Sequence, residues 1–291
     1  MNLAETLKEQ YGTVSEKRIE VASSIDSKKI KDLLCITRKY LDKLTVTHFL
    51  ERDKVHSDYS SSLEELKISL TPEEITAFSI ESQRLQDHLY FGHIGFALSL
   101  IIKDHQLRTK YGGKYKIVTE HFENDITGLC YKNNALVDIY GTGGIEACQE
   151  MQGGIVTIFG NVTSLGTFLK DGEITCHGSV EQEVGYTMHG GIITVKENAR
   201  SNIGSYMTNG IITVQGDVSG NIGNCMQEGL IITYGKTKGH IGNGMYGGKI
   251  RLYNSFEKLP SYFRNGKIYH NDRLIFSRSI SFIEKVKKVF T

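Results

Sequence analysis

Apolar residues recur through the second half of the chain with a period of 18 or 19 residues, and glycines keep step with them. Met151, Met188, Met207, Met226 and Met245 share one slot of this register, and Leu169 fills the gap between the first two. Three residues before the slot stands Gly166, Gly185, Gly204, Gly223 or Gly242, with Cys148 the exception. Three residues after it stands Gly154, Gly172, Gly191, Gly210, Gly229 or Gly248, followed by a β-branched run such as Ile192-Ile193-Thr194-Val195. Alternate side chains of a strand point to opposite faces, so the positions that stay apolar in every repeat face inward. Those are Val156, Ile174, Ile193, Ile212, Ile231 and Ile250, and, two residues further on, Ile158, Cys176, Val195, Val214, Thr233 and Leu252.

One short strand per repeat of about 19 residues, punctuated by glycine, is the pattern of a solenoid in which each repeat forms one coil of a parallel β-helix. Lys132, 19 residues before Met151, and Phe263, 18 after Met245, extend the register to about eight coils. At about 4.8 Å per coil the rod would be roughly 35–40 Å long. A left-handed β-helix repeats an aliphatic-glycine hexad on each of three sides; here that pair occurs once per coil, which favours the right-handed, single-stranded form. Terminal coils need covering, and the apolar spacing in Ser279–Phe290 predicts a capping helix over residues 277–291.

The first half reads differently. Glycine is scarce up to residue 110, and the periodic glycines begin after Gly112-Gly113. The chain therefore divides into a mainly helical N-terminal region (1–112), the β-helix (113–276) and the C-terminal cap (277–291), an α+β, mainly β architecture. Ile30, Leu33, Leu34, Ile36 and Leu41 predict a helix over residues 27–43. Thr71-Pro72-Glu73-Glu74 combines a threonine N-cap, an N1 proline and a glutamate at N3, and predicts a helix start. Helix then continues in two pieces to about residue 104, broken near Gly92.

Composition narrows the function classes. A net charge of +1 without a long basic block gives no electrostatic footprint for nucleic acid. No apolar run approaches the roughly 18 residues of a membrane span, and Met1–Glu5 lacks the apolar region of a signal peptide. Five widely spaced cysteines, with no CxxC pair, fit reduced thiols in a cytoplasmic protein and offer no zinc site.

Candidate chemistry is sparse. Every step from Lys132 to Phe263 is 18 or 19 residues, so no long catalytic loop interrupts the coils. Asp171 and Glu228 share a slot three coils apart, about 14 Å, and Glu146 and Glu183 share another at about 9.6 Å; paired glycosidic carboxylates need about 5–9.5 Å. Cys176 falls in an inward apolar column, and His189 takes a turn position. Gly141-Thr142-Gly143-Gly144 lacks both GxGxxG spacing and a following Lys-Ser/Thr. In the N-terminal half Asp87, His88 and His93 lie near the helix break and are the candidate catalytic residues. No cofactor and no metal is expected. The outward columns are more telling: four residues after the slot stand Ile155, Glu173, Ile192, Ile211, Leu230 and Lys249, and the apolar members stack beside Thr194 and Thr213 in a stripe that either meets a partner or is covered by the chain's own helices.

The motif Gly185-Tyr186-Thr187-Met188-His189-Gly190-Gly191-Ile192-Ile193-Thr194-Val195 resembles the repeat of the glycine-rich (GXGXG) C-terminal domain of the glutamate synthase large subunit, a family with a related member in formylmethanofuran dehydrogenase. Ile94–Ile102 resembles the helix that leads into that domain, so the resemblance spans about residues 92–276. It implies a right-handed β-helix that holds catalytic domains in position. The amidotransferase cysteine, flavin and iron-sulfur ligands of glutamate synthase belong to other domains, and none of those motifs is present; the second residue is Asn2.

The expectation is a cytoplasmic scaffold or subunit, not catalytic alone, that offers its β-helix face to a partner amidotransferase or oxidoreductase, or to a second copy. The alternative is an enzyme with its site in the N-terminal helices or at their junction with the β-helix.

Overall fold

The computed structural model describes residues 27–44, 52–65, 69–85, 91–120, 122 and 126–278. Four helices precede the strands: α1 (Ser27–Leu44), α2 (Arg52–Glu65), α3 (Pro72–Glu81) and α4 (Ile94–Thr109). The capping box of α3 is formed as expected. The Glu74 amide donates to Thr71 Oγ1 at 3.2 Å, and the Thr71 amide donates to the Glu74 carboxylate at 2.8 Å. The break near Gly92 is a short 3₁₀ turn, Phe91–His93, that opens directly into α4. Helix α2 shows no clear period in the sequence because few of its residues are apolar. Only Val55, Tyr59 and Leu63 are apolar and buried on it, at a spacing of four.

The strands follow as β1 (Lys114–Val118), β2 (Leu136–Tyr140), β3 (Gln152–Ile158), β4 (Asp171–Cys176), β5 (Ile192–Val195), β6 (Ile211–Val214), β7 (Leu230–Thr233), β8 (Thr237–His240), β9 (Lys249–Leu252), β10 (Phe256–Lys258), β11 (Gly266–His270) and β12 (Arg273–Arg278). Nine of them, β1 to β7 with β9 and β11, pair parallel in one sheet. This is a parallel β-solenoid of about eight turns. Two further walls are marked by parallel bridges through Val162, Val180, Ala199, Val218 and Thr237, and through Leu165, Val184, Ile203, Ile222 and Ile241. All of these residues are buried, as are the two inward strand columns and the methionines.

The methionine ladder has a stereochemical cause. Each Met Cε reaches the glycine that opens the strand of the next coil: a Cβ built at Gly172 would lie 2.7 Å from Met151 Cε, and one at Gly210 would lie 2.5 Å from Met188 Cε. Glycine there leaves room for a long, flexible thioether that fills the interior. Leu169 is too short to reach, and the nearest atom to a Cβ at Gly191 is the Gly172 carbonyl oxygen, 2.6 Å away.

Two expectations shift in detail. The slot of the first coil belongs to Asn133 and not to Lys132: the Gln152 amide donates to the Asn133 carbonyl, as the Lys170 amide does to that of Met151. The first coil is one residue shorter at this corner and regains the 19-residue step in its strand, where Val137 pairs with Val156. Buried Asn133 closes the corner with its own amide, which exchanges hydrogen bonds with the backbone of Ala135. At the other end, Ser277 and Arg278, expected in a capping helix, continue strand β12. That strand folds back antiparallel on β11 through Asn271 and Asp272, both at positive φ, in a tight two-residue turn. The rest of the expected helix lies outside the described residues.

The helices close the N-terminal end. Strand β1 has a sheet neighbour on one side only, and α3 serves the other. Thr76 Oγ1 donates to the Lys116 carbonyl at 2.8 Å, and the Val118 amide donates to Ser79 Oγ at 3.0 Å. Helix α4 lies under the first coil, where buried Ser99 donates to the Gly128 carbonyl and accepts from the Tyr131 amide. A sheet edge satisfied in this way offers no template for further strand pairing.

Candidate interaction face

The outward side of the nine-stranded sheet carries two rows in register. One row runs Lys114, Leu136, Ile155, Glu173, Ile192, Ile211, Leu230, Lys249, Lys267. The other runs Lys116, Asp138, Thr157, Thr175, Thr194, Thr213, Ile232, Arg251, Tyr269. Ile155 is 46% exposed and Ile192 and Ile211 are each 37% exposed, high values for isoleucines held in a strand. Thr194, Thr213 and Leu230 are half-buried among them. The described helices stand at the β1 end of the solenoid, so none of them covers this stripe. Because every side chain is fixed by a parallel ladder, the stripe is flat and rigid.

A neighbouring outward column, absent from the sequence expectations, is aromatic. Tyr140, Phe159 and His177 stack with ring centroids 5.0 Å apart at each step, their planes nearly parallel. Further along, Tyr234 and Tyr253 repeat the arrangement at 5.1 Å. The signal lay eight residues beyond the slot for Phe159, His177, Tyr234 and Tyr253, each just after its strand run, while Tyr140 closes β2. Burial holds the His177 imidazole below its ordinary pKa, and nearby Lys196 adds to the effect. Both effects favour the neutral ring.

Among the described residues, those considered for catalysis lie in separate elements. Asp87 and His88 lie outside the described residues. His93 is half-buried at the start of α4, its ring 6.0 Å from that of Phe96. Cys176 is buried, with Sγ 3.5 Å from the Gly160 and Gly178 carbonyls, and burial pushes its thiol up to about 12. His189 is exposed and meets Thr208 Oγ1 at 3.0 Å in the next coil. In the Gly141–Gly144 loop the Gly143 amide donates to the Asn161 carbonyl and the Gly144 amide to Thr142 Oγ1, so these amides are consumed within the fold. The described residues contain no group of three His, Cys, Asp or Glu side chains placed to hold a metal, and no described helix is long and apolar enough to cross a membrane. A small open cleft between α1 and α2, lined by Lys39, Tyr40, Lys43, Asp58, Tyr59 and Ser62 among others, holds no convergent polar set; Lys43 and Asp58 face each other at 3.5 Å, while the Tyr59 hydroxyl is bonded to Thr37.

Cys148, the departure from the glycine pattern, takes the glycine conformation. Its φ is 59°, against 64° for Gly185, and Cys130 in the preceding coil has 61°. The two thiols are in contact, and the hydrogen bond from one to the other, together with burial, holds Cys148 well above the usual thiol range. Both cysteines are free and buried.

The chain matches no family model, no curated protein and no solved structure.

Proposed function

We propose that the chain is a non-catalytic scaffold or subunit whose solenoid is a right-handed, single-stranded β-helix of the glutamate synthase C-terminal type, and that it presents the Ile/Thr stripe to a partner amidotransferase or oxidoreductase in the cytoplasm. The observation that carries the reading is the in-register stripe of exposed Ile192 and Ile211 with half-buried Leu230, which Ile155 extends beyond the exposed Glu173. A contiguous apolar patch on a rigid surface is the usual mark of an interface. The even coil length supports the scaffold reading from the other side, because it leaves the sheet face unbroken by loops.

A photo-crosslinking amino acid placed at Thr194 in the native host tests this directly. One discrete crosslinked species is expected from Thr194 and none from a control at Lys238, which is exposed on another wall. No crosslink from Thr194, or equal labelling from both positions, contradicts the proposal.

A further inference from the structure

The seam between the helices and the solenoid is fastened by a histidine. His105, near the end of α4, and Tyr115, in β1, are both buried, and His105 Nδ1 lies 2.7 Å from the Tyr115 hydroxyl. The rings of His105, Tyr111 and Tyr115 meet edge to face, with centroids between 5.2 and 5.6 Å apart. The other ring nitrogen, Nε2, is bonded to the carbonyl of Leu70, the residue before the Thr71 cap of α3. One side chain thus joins α4, β1 and the start of α3, the helix that satisfies the free side of β1.

Donors and acceptors at this joint match only while the ring is neutral. With the Nε2 proton directed at the Leu70 carbonyl, Nδ1 is the acceptor and the Tyr115 hydroxyl its donor. An imidazolium carries a donor on each nitrogen. It would face the hydroxyl donor to donor, and a hydroxyl turned to accept would leave its own proton unpaired, because among the described residues Tyr115 has no other side-chain hydrogen bond. A buried donor without an acceptor is costly. Burial holds the imidazole below its ordinary pKa, against the pull of the Leu70 carbonyl and of the Asp104 and Glu73 carboxylates. Asp104, on α4, is paired with Arg108, and Glu73, on α3, is exposed, so a charged ring would be drawn outward. We propose that His105 is an acid-released latch: on protonation its ring leaves Tyr115 and Leu70, which frees the end of α4 and the start of α3 from β1 while the coils beyond stay folded. The fold favours the neutral ring, so the latch is fully closed above about pH 6.5 and opens as pH falls through the lower folded value. Thr76 and Ser79 of α3 satisfy the free side of β1, so opening also bares a strand edge.

Hydrogen exchange of the whole chain, read by mass spectrometry at about pH 7.5 and about pH 5 and corrected for the intrinsic rate, tests the latch. Protection of residues 105–118 should fall about tenfold in acid, and that of β5 and β6 should not change. His105→Gln, whose amide accepts and donates without titrating, should hold the segment closed at both pH values. Tyr115→Phe should leave it open at both. His177→Gln, which alters the outward aromatic column, should leave the acid opening in place. Loss of protection spread evenly over all coils overturns the proposal, and so does a His105→Gln chain that opens in acid as the wild type does. If the variants fail to fold, NMR titration of the wild type decides. The ring signals of His105 and Tyr115 should shift together, at a pH below that of an exposed histidine; a His105 that titrates while Tyr115 stays unmoved contradicts the latch.

Discussion

A single atom explains why the ladder residue is methionine. Its terminal methyl lies where the Cβ of the residue three past the slot of the next coil would be, so the glycine and the methionine depend on each other. Gly210 has φ of 103°, a conformation that strains any L side chain, and Met188 Cε would meet its Cβ at 2.5 Å. Gly210→Ala should therefore cost more than the ~1 kcal/mol of an unfavourable backbone alone. In a double-mutant cycle with Met188→Leu, part of that loss should be recovered, with a coupling of about 0.5 kcal/mol or more; additive losses in denaturant unfolding would refute the link. His177 gives a second prediction at this scale. Its folded pKa lies below the ordinary value of about 6.5, so the unfolded state binds the proton first as pH falls. The stability that follows from this is complete well above that value and declines as pH drops through it toward the folded pKa. Removing the ring in His177→Gln should flatten that slope in thermal melts between about pH 7 and 5, and the NMR titration of His177 should fall below that of an exposed histidine.

Elements were legible where a local rule dictates them. The strand run, its phase and the inward columns follow from alternation, and the α3 start follows from Thr71 and Glu74. What escaped had no local signature. Helix α2 buries too few apolar residues to display a period. Strand β12 is recruited by the edge of β11 and not by its own pattern, since Leu274 and Ile275 remain exposed. The first coil hid its slot because Asn133 replaces the methionine with a polar residue satisfied by backbone. The junction makes a prediction of its own. Ser79 and Thr76 satisfy the free side of β1, so Ser79→Ala should leave the Val118 amide without its acceptor, at a cost of about 1–3 kcal/mol. Hydrogen exchange at Val118 should then accelerate by the corresponding factor, whereas Ser61→Ala, on the exposed side of α2, should change nothing.

For the whole molecule, the coils form a rigid bar closed by helices at one end and by an antiparallel strand at the other. The stripe was visible in the sequence as an outward column, but its exposure was not, because the pattern alone left open a cover made of the chain's own helices. The geometry answers for the described helices: they gather on β1, and the sheet face is left to Ile155, Ile192, Ile211 and the threonines. Of the candidate catalytic residues, chosen for their place near the helix break, Asp87 and His88 lie outside the described residues, and His93 stands at the start of α4 beside the ring of Phe96. Whether this face binds another protein is decided by quantitative affinity purification from the native host. The wild type is set beside Ile192→Asp/Ile211→Asp, two exposed positions whose substitution leaves the buried ladders intact. A stoichiometric partner should accompany the wild type and be lost from the variant, with thermal unfolding unchanged. A partner retained equally by both, or a wild type recovered alone as a monomer, would refute the assignment of the stripe as a binding face.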